Sequence, residues 1–168
     1  MRLSTSVTHR ADPQRTFAML CDPAYQAERA VRTGATHQTV TVEEGPEEGV
    51  TTVTTSRQLP SAGLPDLARR VLGPQLAVVE TVRWGPADAD GEREGAVGVE
   101  VPGVPVTFTG GMHLRRGAGP GTTEQVLDGE LQAAIPLLGR KVEQLVADQV
   151  RSASAVEEQL SAQWLARG

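Results

Sequence analysis

Aromatic residues are scarce in this chain: two Trp, two Phe and one Tyr among 168 residues. Asparagine is absent, isoleucine occurs once, at Ile135, and lysine once, at Lys141, beside fifteen arginines. A GC-rich genome depletes those residues together, so the shortage of rings does not imply a weak core; Val and Leu fill the interior instead. The lone cysteine, Cys21, excludes an internal disulfide. No apolar run approaches the ~20 residues that span a bilayer, which argues against a membrane-spanning protein. The opening MRLSTSVTHR lacks the apolar stretch of a secretory leader, and the expected compartment is the cytoplasm. A formal net charge of -5 repels phosphate backbones and argues against nucleic-acid partners.

What is present reads as one domain, 1–168, long enough to bury about two thirds of its unfolded surface. Leu3, Thr5, Val7 and His9 alternate with Arg2, Ser4, Ser6 and Thr8, the period of a half-buried strand ending near Arg10. Asp12-Pro13 and Asp22-Pro23 each set a side-chain acceptor at an N-cap and a proline at the first helical position. Two short helices follow, the second stopped by Gly34. Extended segments come next near 35–44 and 49–59, separated by the acidic turn EEGPEEG. A two-turn helix is predicted over Leu64–Leu72, started by Pro65 and ended by Gly73.

Strand patterning resumes with Leu76, Val78, Val82 and Trp84, then Val97, Val99 and Val101, then Val106, Phe108, Met112 and Leu114. A last strand covers about Thr122 to Ala134. The apolar series Leu138, Val142, Leu145, Val146, Ala153, Val156, Leu160 and Trp164 then predicts one long amphipathic helix from about Leu137 to Leu165. Its length is roughly 43 Å, comparable with strands of roughly 33 Å, so it can lie across a curved sheet and leave room beneath itself.

This order of elements is similar to the helix-grip arrangement of the START-like (SRPBCC) superfamily. The segments FAMLCDPAYQ, LPDLARRVLG, VETVRWGP, VEVPGVPVTFTGGMHL, DGELQAAIPLLGRKVEQLVADQV and QWL further resemble an actinobacterial family catalogued as domain of unknown function 2505. The resemblance implies an α+β fold: a seven-stranded curved antiparallel sheet, two short N-terminal helices, a short inserted helix and a long C-terminal helix packed across the concave face. It supplies no catalytic motif.

Several residues invite a chemical reading. Glu80 shares a strand face with Val78, Val82 and Trp84, where burial without a partner raises a carboxyl pKa; the bland alternative pairs it with Arg57 or Arg83. His9, His37 and His113 lie on separate strands without a close second ligand, so no metal site is expected. Gly117, Gly119 and Gly121 precede a strand and lack the Lys-Ser/Thr ending of a phosphate loop, which makes them a hairpin turn. Cys21 reads as a small buried hydrophobe.

Phe17, Tyr25, Trp84, Phe108, Met112, Leu138, Val142 and Leu145 are the expected ligand-facing wall, with Glu80 and Arg57 as its polar groups and with core packing as the rival account. The expected function is noncatalytic binding of a small hydrophobic or amphipathic molecule (lipid, polyketide or steroid-like), with no cofactor demanded. The alternatives are a polyketide cyclase or aromatase-like enzyme drawing on Glu80, and a dimeric structural or regulatory module. The helix at Leu64–Leu72, hinged at Gly63 and Gly73, is the candidate gate.

Overall fold

The computed structural model describes all 168 residues. The strand period of the first residues forms β1 (Arg2–His9). Asp12 and Asp22 then cap α1 (Pro13–Leu20) and α2 (Pro23–Arg32), accepting from the backbone N–H of Arg15 and Ala24. Each proline occupies the first turn, where its missing donor costs nothing. Thr33 caps α2 and Gly34 leaves it at φ +101°, a conformation open to a residue without a side chain.

β2 (His37–Glu44) and β3 (Thr51–Pro60) form the first hairpin, α3 (Asp66–Leu72) interrupts the sheet, and β4 (Gln75–Trp84), β5 (Arg93–Val101), β6 (Val104–Arg116) and β7 (Thr123–Ala133) complete it. A single helix, α4 (Gly139–Ala166), closes the chain. All neighbours in the sheet are antiparallel and the order is β1-β7-β6-β5-β4-β3-β2.

Strand parity divides the sheet cleanly. Leu3, Val7 and His9 of β1, Val53 and Thr55 of β3, Val78, Glu80, Val82 and Trp84 of β4, and Phe108, Met112 and Leu114 of β6 are buried, while Ser4, Ser6, Thr8, Thr107 and Thr109 face water on the convex side. The helices cover the concave side. α4 packs against β1 and β7, α2 against β2 and α4, and α1 against β6. Complete burial of Leu114, Leu131 and Leu160 contributes about 1.5–3 kcal/mol each to this layer.

Glycine sets two close approaches. Gly110 and Gly129 face one another across β6 and β7, where a Cβ on Gly129 would collide with the Thr109 carbonyl oxygen and lie 2.7 Å from the Phe108 ring. Gly95 lies under the Trp84 indole, 2.9 Å from where its own Cβ would stand.

The turn from β7 into α4 is built differently. Leu138 N–H donates to the Ile135 carbonyl at 3.2 Å, enclosing Pro136 and Leu137. Leu137 has φ +65° and is the only non-glycine residue with positive φ. Proline followed by a positive-φ residue is the arrangement in which glycine normally takes the second place; a leucine there costs about 1–2 kcal/mol. Its side chain is fully exposed, so no packing offsets that cost.

Candidate functional site

Six polar side chains from six elements join into one chain across the concave face. His9 (β1) donates from Nε2 to Gln125 Oε1 (β7) at 2.8 Å, with the imidazole in the matching tautomer. Gln125 Nε2 reaches Glu157 Oε1 (α4) at 3.5 Å. Glu157 Oε2 meets Arg29 Nε (α2) at 3.3 Å. Arg29 donates from Nη1 and Nη2 to Glu80 Oε1 (β4), both at 3.0 Å, and Glu80 Oε2 stands 3.6 Å from Arg57 Nη2 (β3). Gln26 braces the middle: its Oε1 accepts from Arg29 at 2.7 Å and its Nε2 donates to the Leu20 carbonyl at 2.6 Å.

The local sequence explains these positions. His9 continues the inward parity of Leu3 and Val7, Gln125 lies between inward Thr123 and Leu127, and Arg29 is one helical turn after buried Tyr25. Glu157 precedes buried Leu160 by three and half-buried Trp164 by seven, on the stripe α4 turns inward.

Two guanidinium groups and two carboxylates thus share a buried region with matched charge. Burial pushes the Glu80 carboxyl up, but the charges of Arg29 and Arg57 and the Arg29 hydrogen bonds overcome it and hold the group at about 2. Burial opposes the Arg29 charge as well; Glu157 and Glu80 outweigh it and raise the group. Arg57 is lowered, because burial exceeds what the more distant Glu80 returns. Burial, then Glu157, drives the Tyr25 phenol upward. His9 Nδ1, Tyr25 Oη and Arg57 Nε are buried without a hydrogen-bond partner.

The room expected beneath α4 is largely taken up. Leu20, Val53, Trp84 and Met112 together with Glu80, Arg29, Gln125 and Glu157 enclose a cavity of only about 10 Å³, space for about one water molecule. Long polar side chains occupy the room that the long helix was expected to leave beneath itself. A larger concavity of about 770 Å³ lies between loops at the far end of β4–β7. It is an open trough among Asp12, Asp88, Arg93 and Arg116 and glycine turns, unlike an apolar chamber.

The expected wall residues are mostly brought together. Tyr25, Trp84, Phe108, Met112 and Val142 are buried in one core cluster, with Phe17 and Leu138 packed on its margin. The Phe17 and Trp84 rings meet edge to face at 6.0 Å, and Tyr25 meets Trp164 at 5.5 Å. Leu145 is half-buried but stands outside that cluster, as do Ala153 and Val156; α4 presents Val146, Ala147 and Val150 instead.

Among the other candidates, Glu80 has Arg57 as one partner, whereas Arg83 projects to the opposite face and pairs with Glu47 at 3.2 Å. Arg29, Glu157 and Gln125 are the participants that reading for apolar periodicity missed; His9 lies on the face that the alternation of β1 gave it. His113 pairs with Glu94 on the convex side and His37 is exposed. Cys21 is half-buried and its thiol is pushed up to about 11 by burial, with Arg93 opposing. Gly117–Gly121 form the β6–β7 turn, where Gly117 N–H donates to Thr122 O at 2.8 Å.

Solved structures share this architecture. An aromatase/cyclase, Zhui, from Streptomyces sp. R1128 matches with TM-score 0.57 at 16% identity, covering 96% of this chain and 90% of that one. A START superfamily protein from Mycobacterium smegmatis matches with TM-score 0.57 at 11% identity and 94% of each chain. The protein TTHA0849 from Thermus thermophilus gives 0.58 at 15% identity, over 96% and 97%. At such identities the likeness is one of fold, and that fold is START-like. No curated protein matches the sequence. The family model described as protein of unknown function (DUF2505) matches residues 4–165, and the chain belongs to that family.

Proposed function

We propose that the chain is a noncatalytic binding protein for a small amphipathic molecule, held on the concave face between the sheet, α2 and α4. The observation that carries this reading is the buried charge. Interior ion pairs are poor sources of stability compared with apolar side chains of similar volume, yet four charged residues and two further polar ones occupy the place where Val and Leu would serve a purely structural core. Such a set suits a ligand with an apolar body and a polar end, admitted when α2 or α3 moves.

Catalysis is disfavoured by the same geometry. Glu80, the acid that a cyclase-like reaction would draw on, is ionised at neutral pH and held by two arginines. The near-filled interior favours a second, structural or regulatory reading, in which the concave face is simply a core.

Native mass spectrometry of the purified protein, followed by titration with lipids, polyketides and steroid-like molecules under Trp84 and Trp164 fluorescence, separates the readings. Binding predicts a retained mass or a saturable change that Val142→Trp abolishes. A protein that carries nothing and responds to none of the three classes is a structural module.

A further inference from the structure

One end of the sheet gathers apolar and cationic side chains on its surface. β3 ends and β4 begins there, as Pro60 opposite Gln75 shows; the β5–β6 turn, the start of β1 and the end of β7 lie at the same end. Met1, Leu67, Val71 and Leu137 are four of the five large apolar residues that the whole chain exposes. Leu67 and Val71 are one helical turn apart on α3, with Arg69 and Arg70 exposed beside them. Leu137 precedes exposed Arg140 and Lys141, the only lysine of the chain.

The charge at this end opposes that of the molecule. Arg70, Arg140 and Lys141 have no carboxylate partner, and Arg69 pairs with Asp66. Glu130 and Glu143 lie at the same end and share the single Met1 ammonium, at 3.5 and 3.9 Å, which offsets one of their two charges; Glu100 is on the convex side. The net charge of -5 is therefore carried elsewhere, and beyond about 8–10 Å it is screened at physiological salt.

Leu137 adds an independent observation. It holds a backbone conformation suited to glycine while its side chain is fully exposed, and backbone strain of this kind clusters at functional positions. Apolar side chains rimmed by unpaired cations match a surface of acyl chains beneath anionic headgroups.

We propose that this end of the molecule is a docking surface for an anionic lipid bilayer, with Leu137, Leu67 and Val71 entering the headgroup boundary and Arg70, Arg140 and Lys141 meeting its charge. The attachment is peripheral and does not depend on any ligand in the interior.

Sedimentation with vesicles of phosphatidylcholine alone, or with about one third phosphatidylglycerol, tests it directly. The wild-type protein is expected to bind the anionic vesicles at least tenfold more tightly than the neutral ones and to be released by high salt. Leu137→Gly is the informative variant, because glycine relieves the backbone and leaves the fold at least as stable, yet binding should fall about tenfold. Arg70→Glu with Lys141→Glu should abolish it. Failure of the wild type to sediment with anionic vesicles at physiological salt overturns the proposal, as does binding that survives both sets of changes. So does a concentration-dependent dimer dissolved by Leu137→Gly without vesicle binding, which would assign the surface to a second copy of the chain.

Discussion

Arg29 and Glu80 are fastened by two N–H donors on one carboxylate oxygen, both at 3.0 Å, across the interface between α2 and the middle of the sheet. Their side chains are only 14% and 11% exposed, so neither charge can turn to water if the other is lost. Removing one partner strands the second, whereas replacing the whole set need not.

Glu80→Gln is therefore expected to destabilise the protein by about 3–5 kcal/mol, the cost of leaving buried arginines uncompensated. Replacing Arg29, Arg57, Glu80 and Glu157 together by Met and Leu should be neutral or stabilise by about 1–4 kcal/mol. Urea unfolding midpoints at unchanged slope measure both.

The pH dependence follows from the same pair. The folded carboxyl of Glu80 titrates at about 2, below its ordinary 4.5, so the folded state binds its proton less readily than the unfolded chain. Its contribution, on the order of 3 kcal/mol, is fully present above pH 4.5 and is lost as the pH falls towards 2. The stability difference between wild type and Glu80→Gln should narrow across that window. A constant difference from pH 6 to pH 2.5 in urea titrations contradicts the assignment. Glu28 and Asp128, held down chiefly by hydrogen bonds from Arg167 and Arg2, act in the same direction in both proteins and cancel in the comparison.

Two glycines should respond oppositely to alanine. At Gly129 a methyl group meets the Thr109 carbonyl and the Phe108 ring, and Gly129→Ala is expected to cost about 2–3 kcal/mol as the strands are forced apart. Gly98 has nothing within 4 Å of its hypothetical Cβ, and Gly98→Ala should be neutral or add up to about 1 kcal/mol by restricting the unfolded chain. Thermal midpoints of the two variants give the contrast directly.

Cys21 should be slow to react. With its thiol pushed up to about 11, little thiolate exists at pH 8 in the folded protein. Colour development with a disulfide reagent should be at least tenfold slower in buffer than in 6 M urea; equal rates would mean that the side chain is freely open.

Most elements were legible because their signals are local. Aspartate-proline pairs marked α1 and α2, strict alternation marked β1, and spacing by three and four marked α4. The polar chain was harder to read because periodicity arguments follow apolar residues: Arg29 and Glu157 sit in PAYQAERAVR and AVEEQL, segments that look solvated, although their offsets from Tyr25 and Leu160 place them inward. Parity placed His9 with Leu3 and Val7, and the same argument applied to β7 finds Gln125. The size of the interior was not legible at all, because it depends on how far five long polar side chains extend from elements brought together by tertiary packing. The same applies to Leu145: the inward stripe of α4 runs through Val142, Val146 and Val150, a choice made by how the helix rolls on β1 and β7.

Where β6 and β7 meet at Gly110 and Gly129, main chain touches main chain with no side chain between. The close approach of these two strands is thereby written into the backbone. It is independent of which side chains line the concave face, so exchanges there, apolar for charged or large for small, leave that bare crossing in place.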